Sequence, residues 1–253
     1  TLELSLDGVS AVGPDYVLEG WLITDDGPVS TGRFDIGDDL SFDIDPALAE
    51  AANTFVLTIE PAVGDDPAPS AVHLLAGDRS EGSATLAVSH PAALGTDFAD
   101  ATGVYILETP TTGDIADDYA QGIWWLDPAE GPGAGLSLPQ LPEGWTYEGW
   151  VVGAEGPIST GRFDSVKAAD SDAAGAAAGP DGFPPFPGQD FIDPAQVLTD
   201  YKAVITVEPV PDTAATPFDL KPLIDDVDDM GAGKTQPMTN QSAANNPTGI
   251  ANW

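Results

Sequence analysis

Residues 18–35 read Leu18-Glu19-Gly20-Trp21-Leu22-Ile23-Thr24-Asp25-Asp26-Gly27-Pro28-Val29-Ser30-Thr31-Gly32-Arg33-Phe34-Asp35. Residues 147–164 read Tyr147-Glu148-Gly149-Trp150-Val151-Val152-Gly153-Ala154-Glu155-Gly156-Pro157-Ile158-Ser159-Thr160-Gly161-Arg162-Phe163-Asp164. Eleven of the eighteen positions are identical at a constant offset of 129. Self-similarity of this length marks an internal duplication. Each stretch is a pair of apolar-rich runs around Asp26-Gly27 or Glu155-Gly156. Glycine at such a centre supplies the positive φ of a tight hairpin turn, so the repeated unit is a β-hairpin.

Taking those pairs as turn centres puts Trp21 opposite Gly32 and Trp150 opposite Gly161, an indole laid over bare strand backbone. Ile23 and Phe34, or Val152 and Phe163, are expected on the same face as the tryptophan. This is read as a core-forming cluster rather than an aromatic platform for a ligand. Arg33 and Arg162 account for two of the three arginines, and an internal ion pair is preferred over a partner-binding role because carboxylates surround them. Glu19, Trp21, Gly32, Arg33 and Phe34, with Glu148, Trp150, Gly161, Arg162 and Phe163, form the expected structural motif.

Working outward, Ile44-Asp45-Pro46 recurs as Ile192-Asp193-Pro194, and Val56–Pro61 recurs as Val204–Pro209, now at an offset of 148. The second copy therefore carries extra residues, placed at 168–190 by their Ala, Gly and Pro content. Leu4-Ser5-Leu6 pairs with Leu136-Ser137-Leu138. Strands are expected near 2–6, 16–24, 29–35, 40–44, 54–60, 70–75 and 83–88 in the first copy. In the second they are expected near 103–108, 122–126, 135–138, 146–153, 157–164, 202–208 and 216–221. Asp45–Asn53 suits a short helix with Pro46 at its first position, and Asp193–Asp200 is its counterpart. The predicted fold is all-β: two tandem immunoglobulin-like β-sandwiches, 1–95 and 96–228, with a loop insertion at 168–190. Residues 229–253, rich in Gly, Asn, Pro, Ser and Thr, are expected as an extended tail, with Trp253 as a partner contact.

Seven Lys and Arg stand against 42 Asp and Glu, a formal net charge of −35. No basic patch can be built from so few cations, which excludes nucleic-acid binding and disfavours anionic membranes. A self-repelling acidic surface suits salty surroundings. There is no Cys, hence no disulfide and no thiol nucleophile. The sequence starts at Thr1, so an upstream segment is expected to have been removed. No apolar run approaches the ~20 residues of a membrane-spanning helix, and no membrane insertion is expected.

Catalytic constellations are not legible. His73 and His90 have no partner at metal-ligand spacing, and His73 reads as an ordinary strand residue. There is no Gly-x-Ser-x-Gly elbow and no phosphate-binding glycine fingerprint. Carboxylates are too many for any pair to stand out as a glycosidase dyad. No organic cofactor is expected. Ca²⁺ is the ion that two Asp runs could take, one around Asp38, Asp39 and Asp43, the other at Asp114, Asp117 and Asp118. Neither run has calcium-loop spacing. Asp225, Asp226, Asp228 and Asp229 read as a solvated cluster.

Tyr16–Phe34, Phe55–Pro61 and Pro67-Ala68-Pro69 with Leu74-Leu75-Ala76-Gly77 resemble the C-terminal extracytoplasmic domain of anti-sigma-K-type factors. Tyr147–Phe163 and Ile205–Pro209 resemble the same domain. The resemblance implies a β-sandwich outside the cytoplasm. The cytoplasmic sigma-binding domain of such factors has no counterpart in this sequence. The expectation is therefore a non-enzymatic, extracellular or cell-surface (or periplasmic) structural protein that forms homo-oligomers or polymers through its terminus. An extracytoplasmic sensor or binding module of an anti-sigma-type regulator is the alternative.

Overall fold

The computed structural model describes residues 1–112, 117–172 and 184–253. Among them the chain is nearly all β, with two short α-helices. In the first copy, β1 (Leu2–Asp7), β2 (Tyr16–Thr24), β3 (Gly27–Phe34), β4 (Ser41–Phe42), β5 (Thr54–Pro61), β6 (His73–Asp78) and β7 (Ser83–Ala87) follow in turn. Helix α1 (Pro46–Ala51) lies where a helix was expected. Pro46 opens it, and the Asp45 carboxylate accepts the Ala47 N–H at 2.8 Å, satisfying a donor that has no intrahelical partner.

Beyond residue 95 the chain contains β8 (Thr102–Leu107), β9 (Gly122–Trp124), β10 (Leu126–Asp127), β11 (Gly133–Ala134), β12 (Leu136–Ser137), β13 (Trp145–Gly153), β14 (Gly156–Phe163), β15 (Gly188–Asp190), β16 (Lys202–Pro209), β17 (Leu223–Asp226), β18 (Gln236–Pro237) and β19 (Thr239–Asn240). Helix α2 (Ser242–Asn245) and β20 (Thr248–Asn252) follow.

One antiparallel sheet of eight strands runs β3-β2-β5-β6-β7-β20-β1-β4. It folds over on itself, because Phe34 on one edge strand meets Phe42 on the other, ring centroids 5.6 Å apart. β5 is buried on both faces from Phe55 to Glu60. Leu57 and Ile59 enter the main core, while Val56 packs with Trp21, Ala76 and Ala93 in an outer layer.

The second copy repeats this order with breaks. β14-β13-β16-β17-β19 form one sheet, and β12-β8-β9-β15 form another, with β18 paired to β8. The Met238 N–H between β18 and β19 donates to Gly103 O at 2.9 Å, bridging the two sheets. β18 and β19 thus stand where β7 stands, β8 where β20 stands, and β9 with β12 where β1 stands.

A continuous hydrophobic core runs from Leu2 to Ala251 and takes in both copies. Between them, Ser10 N–H donates to Asp219 Oδ2 at 2.6 Å and Tyr16 O–H to Pro211 O at 2.9 Å.

Three expectations need correction. The strand expected at 216–221 lies at Leu223–Asp226, because Pro217 and Pro222 lack the N–H a ladder requires. The helix expected at 193–200 is one 3₁₀ turn at Leu198–Asp200, since an Ile192–Ala195 bridge takes up its first residues. Residues 229–253 are not an extended tail. They contain β18, β19, α2 and β20, and β20 is an interior strand with alternating burial. Residues 173–183 of the expected loop insertion lie outside the described residues.

Candidate functional site

The unusual feature of this architecture is where β8 and β20 sit. Each copy, read along the chain, ends in a strand of the same kind: Thr102-Gly103-Val104-Tyr105 after β7, and Thr248-Gly249-Ile250-Ala251 after β19. When each repeat is counted from its matching first strand, β1 or β12, rather than from residue 96, β8 falls at the end of the first repeat and β20 at the end of the second, and neither strand joins its own repeat. β8 pairs with β12 and β18 of the second copy, and β20 pairs with β1 and β7 of the first. The two repeats have exchanged their last strands.

The registers are similar but offset by two residues, since Leu136 is the counterpart of Leu4 and not of Leu6. Gly103 faces Leu136, and Gly249 faces Leu6. A Cβ at Gly103 would lie 2.8 Å from a Leu136 methyl, and one at Gly249 would lie 2.8 Å from Ser5 O. Each of the two strands therefore needs its glycine where a flanking chain closes in. The two connecting segments, 88–101 and 241–247, meet as they cross. Asn240 Nδ2 donates to Phe98 O and Ala101 O, both at 2.8 Å, and Asn246 Nδ2 to Asp97 O at 2.8 Å. Phe98 is buried with φ at 60°, a left-handed conformation that strains a non-glycine residue.

Trp253, expected to anchor a partner, lies on the first copy. Its ring is 6.5 Å from Phe55, and Arg79 sits 5.4 Å over it. Arg79 also donates to Trp253 O at 3.1 Å and to Ala49 O at 2.6 Å, so one guanidinium ties α1 to the end of β20.

The hairpin motif builds a second duplicated feature, in a register that differs from expectation. Gly20 faces Gly32 and Trp21 faces Ser30, with a bulge that absorbs Thr31. The second copy repeats this at Glu148–Trp150, where Trp150 faces Ser159. The bulge puts Trp21 and Phe34 on opposite faces. Trp21 joins Val56 and Ile23 outside, and Phe34 joins the main core. The glycines that need aromatic cover are Gly20, beneath Phe55, and Gly149, beneath Trp125.

On the outer face each copy carries the same polar chain. Trp21 Nε1 donates to Thr58 Oγ1 at 2.9 Å, and Thr58 donates to Glu60. Trp150 Nε1 donates to Thr206 Oγ1 at 2.9 Å, and Thr206 donates to Glu208. Ser30 donates to Glu19 and Ser159 to Glu148. Arg33 Nε lies 3.5 Å from Glu19 Oε2, and Arg162 Nη1 lies 3.8 Å from Asp212 Oδ2. Arg33 and Arg162 are therefore paired internally, Arg33 with Glu19 and Asp65 and Arg162 with Asp212.

Burial pushes the Glu148 and Glu208 carboxyls up to about 7, and raises Glu60 as well. Protons lost from these sites would leave anions with few donors. Oε2 of Glu60 and Glu148 is buried without a hydrogen-bond partner. Burial favours the neutral carboxyl at each of these sites, and the Thr hydroxyl orients the outer tryptophan. Its carboxyls are committed to Ser, Thr and backbone partners.

The metal candidates do not converge. Among the described residues no three His, Asp or Glu side chains are placed to hold an ion. Asp38 instead accepts the Asp35 N–H at 2.9 Å, and Asp39 and Asp43 are exposed. Asp117 is exposed and Asp118 accepts through its backbone from Thr109, while Asp114 lies outside the described residues. The cluster expected to be solvated has two structural members. Asp225 accepts from Tyr105 O–H at 2.9 Å, and Asp229 accepts from Tyr119. His73 contacts Ala92 O at 2.8 Å from within β6, and His90 lies 3.3 Å from Asp78.

Thr-Gly-aliphatic at 102–104 and 248–250 was the readable signal for the exchange. It is short, and each example lies in a part of the chain that looked like a boundary or a tail. No helix among the described residues is long and apolar enough to cross a membrane. The chain matches no protein-family model, and no curated protein or solved structure is significantly similar to it.

Proposed function

We propose that this chain is a non-enzymatic structural protein of the cell surface or exterior that self-associates into larger assemblies. The observation that carries this reading is the place of β20. An interior strand of the first copy's sheet comes from the far end of the sequence, so each such sheet needs a strand delivered to it from a distance. Such a sheet is a receptor for a strand, and any chain bearing that strand is a candidate donor. Two further observations support the reading. The raised carboxyls are occupied by internal hydrogen bonds in both copies. The net charge of −35 keeps the protein soluble in salt, where screening lets like-charged subunits approach.

The test is the size distribution of purified protein by light scattering and electron microscopy, across concentration and from low to molar salt. Oligomers or filaments that grow with both variables are expected. A strictly monomeric particle under all conditions removes the reading. Fractionation of the source cells is expected to place the protein in the surface or culture-medium fraction.

A further inference from the structure

We propose that β20 inserts between β1 and β7 of a second copy of this chain, so that chains are linked by strand exchange. The proposal deepens the assembly reading above and rests on it.

Within a single chain, two homologous strands have already left their own repeats for the equivalent slots in the other. The slot therefore accepts a strand that arrives from another repeat, through a short connection at residues 241–247. A slot in a neighbouring chain is chemically identical. It offers the same Leu6 and Leu86 opposite Gly249, the same Phe55 face for Trp253, and the same Arg79 to grip the strand end. Exchange between chains replaces each contact by its duplicate, which is why swapping of an identical element costs little.

Release is also undemanding. β20 buries only small residues, Gly249 and Ala251, while Thr248, Ile250 and Asn252 are exposed. Trp253 is half-buried. A strand of this kind belongs to the part of a fold that opens locally before the rest. β8 is not the linker. It lies between the copies in sequence, so it could not leave without carrying a whole repeat with it. Two chains that each donate to the other close into a dimer, and chains that donate in one direction form an open-ended polymer.

The absence of Cys allows a register-specific test. Ser5 faces Ile250 across β1 and β20, and both side chains are exposed. Opposed strand residues lie about 5 Å apart, within disulfide reach. Ser5→Cys chains and Ile250→Cys chains would be mixed in molar salt and oxidised. The Ser5→Cys/Ile250→Cys double variant, diluted, reports that the pair bonds when both thiols are in one slot. Asp26→Cys, in the exposed β2–β3 turn, mixed with Ile250→Cys sets the background from collisions.

A heterodimeric disulfide several-fold above that background is expected. Cross-linking at background, with the double variant bonding normally, overturns the proposal. If large assemblies form while cross-linking stays at background, strand exchange falls and the assembly reading stands. If cross-linking succeeds but yields only closed dimers, exchange stands and the polymer falls.

Discussion

At the scale of single residues, the repeated hairpin carries a buried hydrogen-bond network beside its hydrophobic cluster. Glu148 and Glu208 titrate near 7 in the folded protein because they are buried, whereas an unfolded glutamate titrates near ~4.3. Between those values the native state binds more protons than the unfolded one. Stability from these groups is therefore full below ~4.3, falls as pH rises through about 7, and levels off above it. Each carboxyl contributes up to a few kcal/mol. The Glu148→Gln/Glu208→Gln variant should keep a neutral group at both sites and flatten this dependence. Urea midpoints at pH 5 and pH 8 check it, and an unchanged difference between the two would refute the assignment. Thr206→Val removes the group that accepts from Trp150 and donates to Glu208. It should destabilise the protein by ~1–3 kcal/mol in the same assay, since two buried polar partners lose their bond.

At the scale of elements, β20 is held by its flanking strands and by Arg79. A Cβ at Gly249 would press on Ser5 O at 2.8 Å and on Leu6 at 2.9 Å. Backbone cannot yield as a side-chain end can, so Gly249→Ala should loosen β20 against β1 by ~1–3 kcal/mol. Hydrogen exchange should show the loss of protection in β1, β7 and β20, with β13 and β16 little changed. Arg79→Ala removes the link between Ala49 O and Trp253 O. It should raise exchange in β20 and around α1 together, and a change confined to α1 would show that the guanidinium does not secure the strand.

At the scale of the whole molecule, the exchange of strands joins the two copies into one cooperative unit. Neither sheet is complete without a strand from the other repeat, and the main core is continuous across both. A single unfolding transition is expected, with coincident tryptophan fluorescence and far-ultraviolet circular dichroism. Two separated transitions would show that the copies are independent. The net charge of −35 opposes the compact state through self-repulsion. Raising NaCl from about 0.1 M to 1 M shortens the screening length from about 10 Å to 3 Å, and the transition temperature should rise with it.

Much of this was determined by the sequence alone. The duplication, the all-β class, the hairpins and the short helix opened by Pro46 follow from local patterns, because turns and helix starts are set by neighbouring residues, whereas the arginines' partners Glu19, Asp65 and Asp212 are brought to them by the fold. Three things were decided by tertiary structure. The bulge at Thr31 moved Trp21 off Gly32, since register depends on how β2 packs between β3 and β5, not on the turn alone. The raised carboxyls of Glu148 and Glu208 depend on burial by strands distant in sequence. The exchange of β8 and β20 depends on which slot each strand occupies. Thr-Gly-aliphatic reads the same in either slot, and what distinguishes the slots is partners distant in sequence, such as Asp225 and Gln236 for the Tyr105 hydroxyl. The hairpin announced two copies of one unit, while the packing decided that each copy is finished by the other.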